Sequence, residues 1–133
     1  MSAIQIVTRR LSSDSAVKAI VTSARVFPVA APQNAQAPYI TVNLVSGRDE
    51  RLLEGPGKYY RHRVTVESIA TSAAEALDLG DAALAALEGI VKETVDGFID
   101  VDVYFADVDF TQPNDPRTAF QRVTQFFVQW RRA

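Results

Sequence analysis

The sequence predicts an α+β fold. One mostly antiparallel, twisted sheet of about four to five strands is expected, with an N-terminal helix and a central helix on one face and a long charged hairpin loop. Three observations carry this expectation. Residues 39–45 and 60–69 alternate apolar and polar side chains, the period of half-buried strands. Ser72-Ala73-Ala74-Glu75 is a capping box that opens a run of helical periodicity. Residues 98–105 and 118–130 alternate again.

In chain order, Ile4, Val7 and Leu11 share a helical face, and Ser12-Ser13-Asp14 can stop that helix and cap a second one. Val17, Ile20 and Val21 continue the apolar stripe, so the helical region is expected to end near Ser23. Arg25 to Val29 is short and contains Pro28, which suits an edge strand. Ala30 to Ala37 is a polar connection. Ile40, Val42 and Leu44 then fall on one strand face, with Thr41 and Asn43 on the other. Across the Gly47–Tyr59 stretch, Val64 and Val66 face one way and Arg63, Thr65 and Glu67 the other.

The central helix places Ala73, Leu77, Gly80, Leu84, Leu87 and Val91 on its expected apolar face, with Glu75, Asp78, Asp81 and Glu88 opposite. Acids crowd its first half and Lys92 stands near its end, as the helix dipole favours. Gly80 costs up to about 1 kcal/mol in helix propensity, so it implies a close approach of the helix to the sheet. Asp96-Gly97 reads as a turn. Ile99, Val101, Val103 and Phe105 then alternate with Asp100, Asp102 and Tyr104, and the phase slips after Ala106, which marks a bulge or a strand end. Thr111 to Pro116 reads as a turn-rich loop. In the last element Phe120, Phe126, Val128 and Trp130 share parity, and Phe127 has the opposite one. The strand around 61–69, the helix and the strand 98–105 are expected to form a right-handed crossover flanked by antiparallel hairpins.

The chain has 133 residues, and residues 1–133 are expected to form a single domain. With 47% hydrophobic and 23% charged residues it has the composition of a folded domain rather than a disordered one. A formal net charge of −2 is no footprint for general nucleic-acid binding. Cysteine is absent, which removes disulfides, thiolate metal sites and thiol catalysis. No signal peptide or membrane span is expected, so the chain is read as folding in a cytoplasm.

The residues offer little catalytic chemistry. His62 is the single histidine, between Arg61 and Arg63, with no G-x-S-x-G turn or second histidine to accompany it. It reads as a strand-end histidine more readily than as a general base. Asp100 and Asp102 are expected on the same side of one strand; such a pair can hold a divalent cation, but on a polar strand face it usually contacts solvent. A third reading is an acidic surface that repels a polyanion. Gly55-Pro56-Gly57-Lys58 lacks phosphate-loop spacing and reads as a loop tip. Neither a metal nor a cofactor is expected. Arg48, Asp49, Glu50, Arg51, Glu54, Lys58, Arg61 and Arg63 mix both signs, which suits a protein–protein contact or a solvated loop better than DNA. Trp130 and Phe126 read as core.

The run Arg25-Val26-Phe27-Pro28, Ala31-Pro32-Gln33-Asn34-Ala35 and Ala37-Pro38-Tyr39-Ile40-Thr41-Val42 resembles the small tail-completion, or tail-terminator, proteins of long-tailed bacteriophages, prophages and gene transfer agents. The resemblance continues through Arg61-His62-Arg63-Val64-Thr65-Val66 and Ala73-Ala74-Glu75-Ala76-Leu77 to Phe126-Phe127-Val128-Gln129-Trp130. It spans nearly the whole chain, and Ala-Pro-Gln…Pro-Tyr is its most specific piece. The loop tip and the acidic strand 98–105 match no fixed pattern of the family.

The resemblance implies a structural virion protein with no enzymatic activity. Such proteins form a ring, typically hexameric, on the head-proximal end of the tail tube. They end tube growth and join the neck or head-closure proteins, and DNA passes through as cargo. The contact residues above would then meet neighbouring subunits or the tube, and Asp100 and Asp102 would face the lumen. A head-closure or tube component of the same particle, and a small α+β enzyme or ligand-binding domain, are the alternative readings.

Overall fold

A computed structural model describes residues 2–21, 25–32, 35–51, 58–95, 97–114 and 119–132. Its elements are helices α1 (Ser2–Ser13), α2 (Ser15–Lys18) and α3 (Ala73–Glu88), and strands β1 (Val26–Pro28), β2 (Tyr39–Arg51), β3 (Lys58–Ala70), β4 (Glu93–Val95), β5 (Phe98–Asn114) and β6 (Ala119–Arg132). The strands form a six-stranded sheet in the order β1-β2-β3-β6-β5-β4. The α+β class, the two antiparallel hairpins and the helices packed on the sheet agree with expectation. The strand count does not: β4 is an added short strand, and the β1–β2 pair is parallel. β3 and β5 are not neighbours either. β6 lies between them and pairs antiparallel with both, so the expected crossover spans an intervening strand.

Local chemistry explains the helix boundaries. Asp14 caps α2, its carboxylate accepting from the Ala16 and Val17 amides at 3.1 Å each, so the break falls where the Ser-Ser-Asp run placed it. α2 closes at Lys18, earlier than expected. Ser72 Oγ accepts from the Glu75 amide at 3.1 Å, and the Glu75 carboxylate turns back to the Thr71 amide at 3.3 Å instead of the Ser72 amide.

α3 presents a different face from the one its leucines suggest. Ala76, Leu79, Gly80, Ala83, Ala86 and Leu87 are buried, whereas Ala73, Leu77 and Val91 are exposed. Alanine and leucine surround most of this helix, so periodicity alone could not choose a face. The small-residue stripe faces inward because it lets the helix lie close to the sheet.

The core lies between the sheet and the helices. Ile40, Val42, Val64, Val66, Phe126, Val128 and Trp130 line the helix-facing side of the sheet, and Ile6, Val7, Leu11, Leu79 and Leu87 meet them. Arg10 joins elements at the end of α3: its Nε donates to the Ala86 carbonyl at 3.1 Å, and its guanidinium lies 3.6 Å from Glu93.

Two stretches expected to be loops are strand. Gly47–Arg51 continues β2 opposite Lys58–His62, and β6 flanks β3 as far as the Tyr59–Arg131 pair. Backbone pairing continues after the apolar alternation has ended, which is why the pattern of side chains did not reveal it. Only residues 52–57 separate β2 from β3, and they lie outside the described residues. Likewise Thr111–Asn114 pairs with Ala119–Arg122 rather than forming a turn. β4 covers only the start of β5, so Pro113 stands in an edge stretch of the sheet, where proline is tolerated.

The phase slip after Ala106 is a bulge: the register shifts between Phe105 and Asp109, and Asp107 has φ +57°. A second shift, between Ile99 and Asp102, has Asp100 at φ +51°. Aspartate tolerates this left-handed region better than most residues. Gly97, immediately before β5, has φ +87°; the Asp96 half of the expected turn lies outside the described residues.

Candidate functional site

The helix-free face of the sheet holds Arg61 and Arg63, the candidate contact residues whose side chains are described. Arg63 pairs in register with Phe127, and Phe127 with Tyr104, so β3, β6 and β5 set these three side chains in a row. The Arg61 guanidinium carbon stands 4.2 Å from the Phe127 ring centre and that of Arg63 stands 5.3 Å away. Arg63 Nε also donates to Gln125 Oε1 at 2.6 Å. Among the described residues Arg61 has no carboxylate partner. Phe127, out of phase with the core residues of its strand, is thus covered by two cations. Thr41 Oγ1 donates to Glu67 on the same face at 3.1 Å. Arg48, Asp49, Glu50, Arg51 and Lys58 continue the β2–β3 ladder, with side chains outside the described residues, and Glu54 lies wholly outside them.

Asp100 and Asp102 are not related by simple alternation, because the bulge between Ile99 and Asp102 separates them. Asp100 Oδ2 accepts from Arg131 at 3.4 Å, and Asp102 Oδ1 accepts from the Lys92 amide at 3.0 Å, where the chain leaves α3 with φ +49°. Each carboxylate is held by a different structural partner. No group of three potential metal ligands occurs among the described residues.

His62 sits edge-on to Trp130, with ring centres 4.8 Å apart, and Tyr60 stacks on the same indole at 5.5 Å. Trp130 and Phe126 are fully buried core residues, as their parity implied. Near the chain start, Arg25 donates to the Gln36 carbonyl at 2.9 Å and the Pro38 carbonyl at 3.4 Å, tying down the connection into β2 beside an open groove lined by Phe27, Pro32 and Ala35.

The strongest polar constellation was not singled out from the sequence. Arg122 enters β6 with the parity of Phe126 and Trp130, on the helix-facing side, and only 8% of its side chain is exposed. Its Nε and one terminal nitrogen donate to the two oxygens of Asp109 at 2.9 Å each. The other terminal nitrogen donates to Asp81 at 2.6 Å and to the Leu77 carbonyl at 2.7 Å. The hydrogen bond from Arg122 holds the Asp109 carboxyl below its ordinary value, and the same bond raises Arg122.

Gly80 makes room for this network. A Cβ there would overlap Arg122 Cδ and lie 2.9 Å from Nε. The signal was in the sequence: a charged residue on the core parity of β6, facing a helix with a mid-face glycine. Only the tertiary structure shows that the two meet.

No helix among the described residues is long and apolar enough to cross a membrane. No curated protein matches the sequence. A solved structure, described as the virion of a native gene transfer agent particle, contains a chain of the same fold; the two superpose with a TM-score of 0.72 at 17% identity, over 96% of this chain and 93% of that one. The family model for tail completion protein gp17 matches residues 5–130. The chain therefore belongs to the tail completion protein gp17 family, a family of structural proteins of phage-type tails.

Proposed function

We propose that residues 1–133 act as a single tail-terminator-like domain in the virion, at the junction of tail and head. Copies close into a ring, hexameric in this reading, on the head-proximal end of the tail tube. The ring ends tube growth, offers the surface that joins the neck or head-closure proteins, and lets DNA pass as cargo. The observation that carries the reading is the tail completion family match across residues 5–130. The helix-free face around Arg61, Arg63 and Phe127 gives such a protein a surface for its partners. In this reading the charged β2–β3 end, from Arg48 to Lys58, meets a neighbouring subunit or the tube, and Asp100 and Asp102 border the channel. The chain is made in the cytoplasm of a bacterial host and has no catalytic task.

Electron microscopy of particles produced without this protein tests the role. Tails that overrun their normal length and stay unjoined to heads are the expected result. Normal tails joined to heads would overturn the role. Loss of the tubes altogether would instead make the protein a tube component, and tubes of normal length without heads would make it a neck component.

A further inference from the structure

The two faces of the molecule carry complementary chemistry. On the outer side of α3, Ala74, Leu77, Asp78, Asp81, Ala85 and Glu88 are all exposed and recur at helical spacing in one stripe. The helix holds four acids and no basic residue. Asp78 and Glu88 make no ion pair among the described residues, and Asp81, although bonded to Arg122, keeps 69% of its side chain exposed. Leu77, 44% exposed, forms an apolar centre among these acids. On the opposite side of the sheet, Arg61 and Arg63 bracket Phe127, and Tyr104, about half exposed, stands in register beside it. Two guanidiniums held against one ring, with no carboxylate paired to them among the described residues, form a ready seat for an anion with an apolar neighbour.

We propose that the acidic α3 stripe of one copy docks on the Arg61–Arg63–Phe127 face of the next. The occupant is a second copy of this chain because the chain itself supplies both halves on opposite faces of one sheet and cannot join them within one molecule. Front-to-back docking uses a different surface on each partner. Such a heterologous contact propagates from copy to copy and closes where the rotation permits. Leu77 would sit against the aromatic side chains, and Asp78 and Asp81 near the guanidiniums. Duplex DNA fits this face less well, since Glu67 and Asp102 lie on neighbouring positions and would repel a continuous polyanion, whereas a helix presents its few acids at fixed points. The inference rests on the ring reading above and names the contact that would build the ring.

The test uses the full chain, with self-association measured by sedimentation at low and high salt, and reversed charges. Arg61→Glu alone, and Asp78→Lys with Glu88→Lys, alter exposed side chains, so circular dichroism should match the parent protein. Each variant should associate about 100-fold more weakly, and the parent should itself weaken in high salt. A one-to-one mixture of the two variants should recover association to within about 10-fold, because only alternating copies then face opposite charges. Parent-like association of both variants, or no recovery in the mixture, overturns this surface and leaves the ring reading standing. A parent protein that stays monomeric even with tail tube subunits overturns both. If Arg61→Glu instead loses binding to a duplex DNA probe while association is intact, the face belongs to DNA and the proposal is wrong.

Discussion

Arg122 is a charge placed on the core side of the central strand, and four neighbours make that position tolerable. Asp109 neutralises it through two bonds, Asp81 and the Leu77 carbonyl accept from its other terminal nitrogen, and Gly80 leaves the space it fills. Gly80→Ala should therefore cost about 2 kcal/mol, because it displaces the buried Arg122 guanidinium from its partly exposed carboxylate partners. The same substitution in an Arg122→Ala background should stabilise by up to about 1 kcal/mol, since only helix propensity remains. Urea unfolding of the four proteins reads both values; equal effects of Gly80→Ala in the two backgrounds would contradict the contact. Asp109 adds a pH signature. Its folded carboxyl titrates below its unfolded value of about 4, so its contribution is complete above that value and is lost as pH falls through the lower, folded one. The stability gap between the parent and Asp109→Asn should thus narrow between about pH 6 and about pH 3. A gap independent of pH would mean that Asp109 is not held as an ion-pair partner.

At the scale of elements, the alternating stretches were legible because period-two alternation is a direct consequence of the pleat: Ile40, Val42, Val64, Val66, Phe126 and Val128 are all buried as their parity implied. Two kinds of feature were not legible. Where strands carry charged residues on both faces, as from Gly47 to Arg51, backbone pairing leaves no apolar trace. Where a helix is apolar on most sides, as in α3, the inward face is chosen by what lies beneath it. Leu77 turned outward and Gly80 inward, over Arg122. The bulge at Asp107 did show in the sequence as a slip of phase, whereas the one at Asp100 was hidden by an unbroken run of alternation. The corrected ladder sharpens the prediction for the β2–β3 tip. Replacing residues 52–57 by Asn-Gly joins Arg51 to Lys58, already a register pair, through a two-residue turn. Thermal unfolding should be unchanged while assembly with tube subunits is lost; unimpaired assembly would remove the tip from the contact.

For the whole molecule, the last strand in sequence lies near the centre of the sheet. β6 pairs with β3 on one side and β5 on the other and brings Phe126, Val128 and Trp130 into the core. Removing residues 119–133 should therefore abolish cooperative unfolding rather than trim an edge, and a cooperative transition in that truncated chain would contradict the strand order. The candidate surface likewise exists only at this scale, because Arg61, Arg63, Phe127 and Tyr104 come from three strands and meet only once β6 is inserted.

The amino-acid sequence by itself determined the α+β class, the caps at Asp14 and Ser72, the parity of the core strands and the resemblance to tail completion proteins, because each depends on short-range spacing along the chain. The tertiary structure decided the strand order, the inward face of α3, the Arg122 network through Gly80 and the cationic cover on Phe127. These depend on residues far apart in sequence, whose meeting is set by how the sheet assembles and how closely the helix packs on it.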